Sequence, residues 1–356
     1  MELEFKKDFK IAKENWGRFW EDKLHRPALQ LIVPKENCST TAWPRCYKYA
    51  RGDVEQLLDK VEAYVSNHYF IAEAIPAYVI AFAPDHFSAL LGADIHLHPN
   101  SDQTVWVEPF VSDWDDTEII FQTDGFWWQR TVEFIRAFRK RFDGRVLLCP
   151  PNIQGGLDCL SAIRGVNELL LDIIDCPDKI KAVLVSVDKA VKQVQAAYAD
   201  ELDIPIYGCV NRHMFYSDEM ISVPQCDFSC MISPEMFRIF QMPILESELL
   251  NLGQCDYHLD GPDAIKHLET ICELDKVSVI QWQPGAGEAA EQDWWPLYQK
   301  IDSLGMGHII VKNDKGSLGK RIWNELSSKK VFIDCYCQTK KEAMQILDEF
   351  ENLSNK

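Results

Sequence analysis

The chain has 356 residues, 47% of them hydrophobic and 26% charged, with 17 Gly and 17 Pro. That is globular composition, and it excludes disordered, collagenous and coiled-coil classes. Asp and Glu total 55 against 37 Lys and Arg, a formal charge of −18, so phosphate backbones and anionic membranes are repelled. The one basic cluster, Arg136, Arg139, Lys140, Arg141 and Arg145, reads as a solvated helix end, and nucleic acid is not expected as a partner. No apolar run reaches the roughly 18 residues of a membrane span. The start, Met1-Glu-Leu-Glu-Phe-Lys-Lys, lacks the pattern of a secretory signal, so a cytoplasmic protein is expected. The 12 Cys are scattered and read as reduced thiols.

Phe5, Phe9, Ala12, Trp16 and Phe19 recur at helical spacing and predict a helical extension over residues 1–26, ahead of a single domain over 27–356. Short β-rich runs follow at 28–33, 77–83, 145–149, 204–210, 255–259, 277–282, 308–312 and 331–335. Helix-period segments lie between them, among them 54–75, 178–198, 234–250 and 340–353. Eight strands, each followed by a helix, predict an α/β fold, a (β/α)8 barrel in one domain, with a doubly wound open sheet as the alternative. Two stretches, 94–123 and 211–231, break the alternation and read as long functional loops.

In a barrel the chemistry sits at the carboxyl ends of the strands. Cys255-Asp-Tyr-His258-Leu-Asp260 ends in Gly-Pro, and strand alternation puts His258 and Asp260 on one face. The last strand ends in Asp334-Cys335-Tyr-Cys337. A His, a thiolate and a carboxylate suit zinc, so His258, Cys335 and Cys337 are the candidate ligands. The other reading is a core histidine bonded to a carboxylate beside two inert thiols. Gln281 and Gln283 flank Trp282 on the opposite strand face, and one of these faces must point into the barrel. Trp43, Gln281, Trp282, Gln283 and Arg212 are the candidate substrate-binding residues for a small molecule. Gly285-Ala-Gly287-Glu-Ala-Ala290 formally matches a dinucleotide pattern, yet Pro284 and its late position favour a tight turn. No serine-hydrolase elbow, Walker loop or zincin motif occurs.

Four segments carry a resemblance. Cys149-Pro-Pro-Asn-Ile-Gln-Gly-Gly-Leu-Asp158, Arg164-Gly-Val-Asn-Glu-Leu-Leu-Leu-Asp172 with Asp175-Cys-Pro-Asp178, Ile232-Ser-Pro-Glu-Met-Phe237 and His258-Leu-Asp260-Gly261 resemble, in order, the uroporphyrinogen decarboxylase superfamily of (β/α)8 barrels. One branch of that superfamily, the decarboxylases, grips eight substrate carboxylates with an Arg-rich stretch after the first strand. Here that place reads Val33-Pro-Lys-Glu-Asn-Cys38, with no Arg before Arg45, although Asp85 falls near the family's catalytic Asp. The other branch, the methylcobamide:thiol methyltransferases, holds zinc on a His-x-Cys pair and a later Cys. The resemblance maps His258 to the His and Cys335 or Cys337 to the later Cys, while Asp260 replaces the middle Cys. It implies a divergent metal-assisted methyltransferase with zinc and a corrinoid partner protein, His258, Asp260 and Asp85 carrying the chemistry. Decarboxylation of a tetrapyrrole or other carboxylate through Asp85, and a non-catalytic ligand-binding barrel, are the alternatives.

Overall fold

The computed structural model describes residues 2–38, 42–97, 105–314 and 316–353, without the side chains of 312–314. Twelve strands occur among them: β1 Ala28–Pro34, β2 His68–Ala72, β3 Ala77–Val79, β4 Ile95–Leu97, β5 Val105–Val107 and β6 Leu147–Cys149. The second half adds β7 Cys209–Val210, β8 Tyr216–Ser217, β9 Cys255–Asp260, β10 Val277–Gln283, β11 Gly307–Asp314 and β12 Val331–Tyr336. Helices separate most of the parallel strands, the longest being Pro177–Glu201.

Six strands form one sheet in the order β2-β1-β12-β11-β10-β9. All pairs in it are parallel except β1 with β2. The last strand lies beside the first, as a closed barrel requires, with Ala28 opposite Phe332 and Leu31 opposite Cys335. β3 and β6 form a separate parallel pair, and β7 with β8 a small hairpin. Among the described residues the hydrogen-bonded ladder therefore does not run as one closed ring. Proline accounts for part of the interruption: Pro76 precedes β3, and Pro150 and Pro151 follow β6, so the donors that would lengthen these strands are missing. A backbone bridge from Gln225 to His258 attaches the chain beyond β8 to β9.

Two expected elements differ. The helix read over 54–75 stops at Ser66, and the remainder turns back as β2, antiparallel to β1. The strand read over 204–210 begins as a helical turn, Ile204–Tyr207, and only Cys209–Val210 is extended. The excursion at 94–123 contains the β4–β5 hairpin, with 98–104 outside the described residues.

The N-terminal helix, Phe9–Trp20, is built into the core. Its Trp16 packs on Phe215 and Phe332, each at 5.3 Å between ring centroids, and donates from Nε1 to the Glu73 carbonyl. The Glu73 carboxylate is buried and fully engaged, accepting from Arg26 twice, from Asn15 and from the Leu29 amide. Charge-assisted bonds of this kind lock helix, β1 and β2 together. Lys6 lies 1% exposed and donates from Nζ to the carbonyls of Phe70 and Ala72 on β2. No helix among the described residues is long and apolar enough to cross a membrane.

Candidate metal centre

His258 and Asp260 sit on the same face of β9, and Gly261 follows with φ +80°, a value that lets the chain leave the strand directly after Asp260. Their third neighbour comes from the 211–231 excursion. Asp227 opens the 3-10 turn Asp227–Met231. One ligand atom each from Asp227, His258 and Asp260 lies within 4.8 Å of the others, the one such group of His, Cys, Asp or Glu side chains among the described residues. Asp227 is exposed, and the other two are half-buried, so the trio is reachable from solvent.

Two of the three, Asp227 and His258, are held by hydrogen-bonded partners. The Asp227 and Phe228 amides donate to the two oxygens of the buried Asp158 carboxylate, at 3.0 and 2.9 Å. Gln225 Nε2 donates to Asp227 Oδ1 at 3.1 Å. Gln225 Oε1 accepts from Arg212 and from Asn152. On the other side His258 Nδ1 is bonded to Gln281 Oε1, and Gln281 Nε2 donates to the Trp282 carbonyl at 3.1 Å. Behind His258, the fully buried Asp256 carboxylate accepts from Asn211 Nδ2 at 2.6 Å and pairs with His213 Nδ1, whose ring lies 5.8 Å from that of His258.

The electrostatics suit a cation. Burial, followed by the charge of Asp227, holds the carboxyls of Asp85 and Asp260 above the usual carboxylate range. Asp158 is raised to about 7 by burial and again by Asp227. Burial also raises Asp227 itself. Burial first, then the Arg212 cation, pushes His258 well below its usual value, so its imidazole is neutral at pH 7 and free to act as a ligand. Crowded carboxylates with one neutral imidazole are relieved by a bound divalent ion.

The residues expected from sequence separate into those that gather here and those that do not. His258, Asp260, Gln281 and Arg212 gather, and Asp85 lies close enough to feel Asp227. The thiols do not. On β12 the even positions point inward, since Phe332 meets Trp16 and Phe215. Ile333 and Cys335 point outward, against Gly319 and Gly316 of the flanking helix. Cys335 is thus turned away from the face that carries His258 and Asp260, and burial pushes its thiol up to about 12. Cys337 is buried, its thiol is pushed up to about 11, and it joins no ligand group. Neither thiol belongs to the group formed by Asp227, His258 and Asp260.

Trp282 is 1% exposed and packs edge-on against Trp294 at 4.9 Å, so it faces the helix layer while Gln281 takes the inner side. Gln283 lies half-buried opposite Asp260 in register. Trp43 packs between Tyr64 and Tyr78, at 4.6 and 5.2 Å. Asp227, Gln225, Asp256 and His213 were not singled out from sequence. One signal was available for Asp227: its turn is capped by Asp158, which ends the first of the resemblance segments.

No protein-family model and no curated protein matches the chain. Among solved structures it is similar to a methyltransferase from Methanosarcina mazei, at 13% identity and a TM-score of 0.58, covering 96% of this chain and 99% of that one. At this identity the likeness is one of fold.

Proposed function

We propose that this chain is a divalent-metal-dependent enzyme of small-molecule group transfer, and that the group is methyl. The observation that carries the reading is the convergence of Asp227, His258 and Asp260 at the carboxyl end of β9. The similarity in fold to a methyltransferase supports the choice of group. In this reading β1, β3, β6, β7, β9, β10, β11 and β12 are the eight staves of a barrel whose mouth holds the trio.

A metal there would be held by His258, Asp227 and Asp260, one nitrogen and two carboxylate oxygens, a harder set than the thiolates of a zinc–sulfur site and one that would suit zinc or manganese. When bound it lowers the pKa of a coordinated thiol or water, so that the nucleophile is available at neutral pH. The chain's own residues do the rest. Asp227 and Asp260 balance the ion's charge, and Asp85, held protonated to higher pH than an ordinary Asp, stores a proton beside the reacting groups. The free side of Arg212 orients an anionic substituent of the substrate. A methylated corrinoid on a partner protein is the methyl source that the reading implies.

Tetrapyrrole decarboxylation fits less well. Eight carboxylates need several fixed cations, and Arg164 is already spent on Asp172 at 2.8 Å, which leaves Arg212. The test is metal analysis of untagged protein, followed by methyl transfer from methylcobalamin to a thiol with metal-free and reloaded protein. Metal-dependent turnover that His258→Ala abolishes is the expected result. A chain that binds no divalent ion, or that decarboxylates uroporphyrinogen through Asp85, overturns the reading.

A further inference from the structure

Each residue of the trio has two atoms that could ligate, and for His258 and Asp227 a bond to one of them bears on which is offered. A histidine that binds a metal through one ring nitrogen nearly always donates the other N–H to an oxygen, and that bond sets tautomer and ring orientation. Two buried glutamines stand in those places, 3% exposed each. An amide has a donor end and an acceptor end, and which end faces a ligand depends on what the opposite end must satisfy.

Gln281 Nε2 is committed to the Trp282 carbonyl, so its Oε1 faces His258 and can only accept. Nδ1 therefore carries the proton, and Nε2 is left bare for a ligand. Gln225 is oriented the opposite way. Its Oε1 is committed to two donors, Arg212 and Asn152, so its Nε2 donates to Asp227, to Oδ1 rather than Oδ2. The segments that carry these side chains are themselves fixed to one another, because the His258 amide donates to the Pro224 carbonyl at 3.1 Å and Gln225 bridges to His258. Cis ligands on an ion with bonds of about 2.1 Å stand roughly 3 Å apart, so the trio's 4.8 Å limit leaves a short closure that a wrong tautomer or a rotated carboxylate prevents.

We infer that Gln281 and Gln225 are paired positioning residues: one fixes the Nδ1–H tautomer of His258, the other fixes which oxygen of Asp227 faces the ion. The inference rests on the metal reading above and deepens it, since it assigns the selection of ligand atoms to two neutral side chains bonded to His258 and Asp227.

The test is calorimetric titration of the purified metal-free full chain with Co2+, with the visible absorption of the bound ion as a second signal. Gln281→Met removes the acceptor at similar volume, and binding should weaken about tenfold to a hundredfold. Gln281→Glu restores an acceptor, and affinity should return to the wild-type value or exceed it. A role in packing alone predicts the reverse order, because a buried carboxylate harms a core more than a thioether does. Gln225→Met should weaken binding by a similar factor and shift the cobalt spectrum. Nitrogen-resolved NMR of labelled histidines in the metal-free chain, with the His258 ring assigned by its loss in His258→Ala, should show that ring protonated at Nδ1 and losing this preference in Gln281→Met, while His68 and His213, whose Nδ1 atoms face other oxygens, keep theirs; this readout stands even if metal binding is lost altogether. Wild-type affinity in both Met variants, or His258 protonated at Nε2, overturns the inference. A wild-type chain that binds no ion overturns both this inference and the reading on which it rests; unchanged variants of a wild-type chain that does bind overturn this one alone.

Discussion

The two sides of the candidate metal centre are built differently. His258, Asp260 and Gln281 stand on β9 and β10, strands of six and seven residues in a continuous parallel ladder that reaches β1. Asp85, Asp158 and Asp227 stand on turns and helix starts around β3, β6 and β7, strands of three, three and two residues. The ladder fixes the imidazole, while the opposite side places its carboxylates through side-chain bonds such as Asp158 to the Asp227 amide. One wall supplies geometry and the other supplies charge.

The sharpest way to break this division is His258→Ala, which removes the ligand held by the rigid wall. Cobalt affinity should fall by more than the roughly hundredfold upper range of an outer-shell change, with unfolding of the metal-free chain little altered. Calorimetry and a thermal melt on the same sample check both halves of the statement.

A second prediction concerns pH. Glu248, on the helix Met242–Leu249 that flanks the interrupted side, is 2% exposed, and burial raises it from 4.5 to about 8. The folded chain keeps this proton between pH 4.5 and about 8, whereas the unfolded chain releases it. The unfolded state thus binds fewer protons across that window, and stability falls as pH rises through it. In urea unfolding the wild-type chain should lose more stability, or gain less, between pH 5 and pH 8.5 than Glu248→Gln does, a difference that separates Glu248 from the buried His86 and His308, whose lowered values act in the opposite direction. An equal slope in both chains removes Glu248 from the argument.

Asp227→Asn separates charge from geometry on the looser wall. It removes the carboxylate that raises Asp85, Asp158 and Asp260, so the metal-free chain should gain about 0.5–2 kcal/mol while metal affinity falls. Loss of both stability and affinity would mean that the turn, rather than repulsion, dominates there. The smallest effect needs no substitution. Hydrogen exchange should proceed in the amides of β3, β6 and β7 before those of β10, β11 and β12, because short pairs open without breaking the ladder.

How much of this was legible follows the same division. His258 and Asp260 were readable because period-two alternation on a strand ending in Gly-Pro is a local signal. β10 to β12 were readable from another local signal, short runs rich in apolar residues. Asp227 was not, since its value comes from Asp158 and Gln225, partners that only the folded chain brings to it. The side that Cys335 faces was not legible, because alternation says that Asp334 and Cys335 face opposite ways but not which of them faces inward; the flanking segment at Gly316 decides that. β2 was hidden in a helical pattern that continued past Asn67, where the chain reverses.

The contact of Lys6 with β2 has a bearing on solubility. β2 is one border of the six-stranded sheet, and its outward carbonyls at Phe70 and Ala72 are the groups through which a strand from another molecule would add itself. An ammonium already occupies them, and it is anchored by Asp8 at 3.0 Å from a short N-terminal segment rather than by any strand. A copy of this protein approaching that border meets saturated acceptors and a buried positive charge, and the sheet stops growing where the molecule ends.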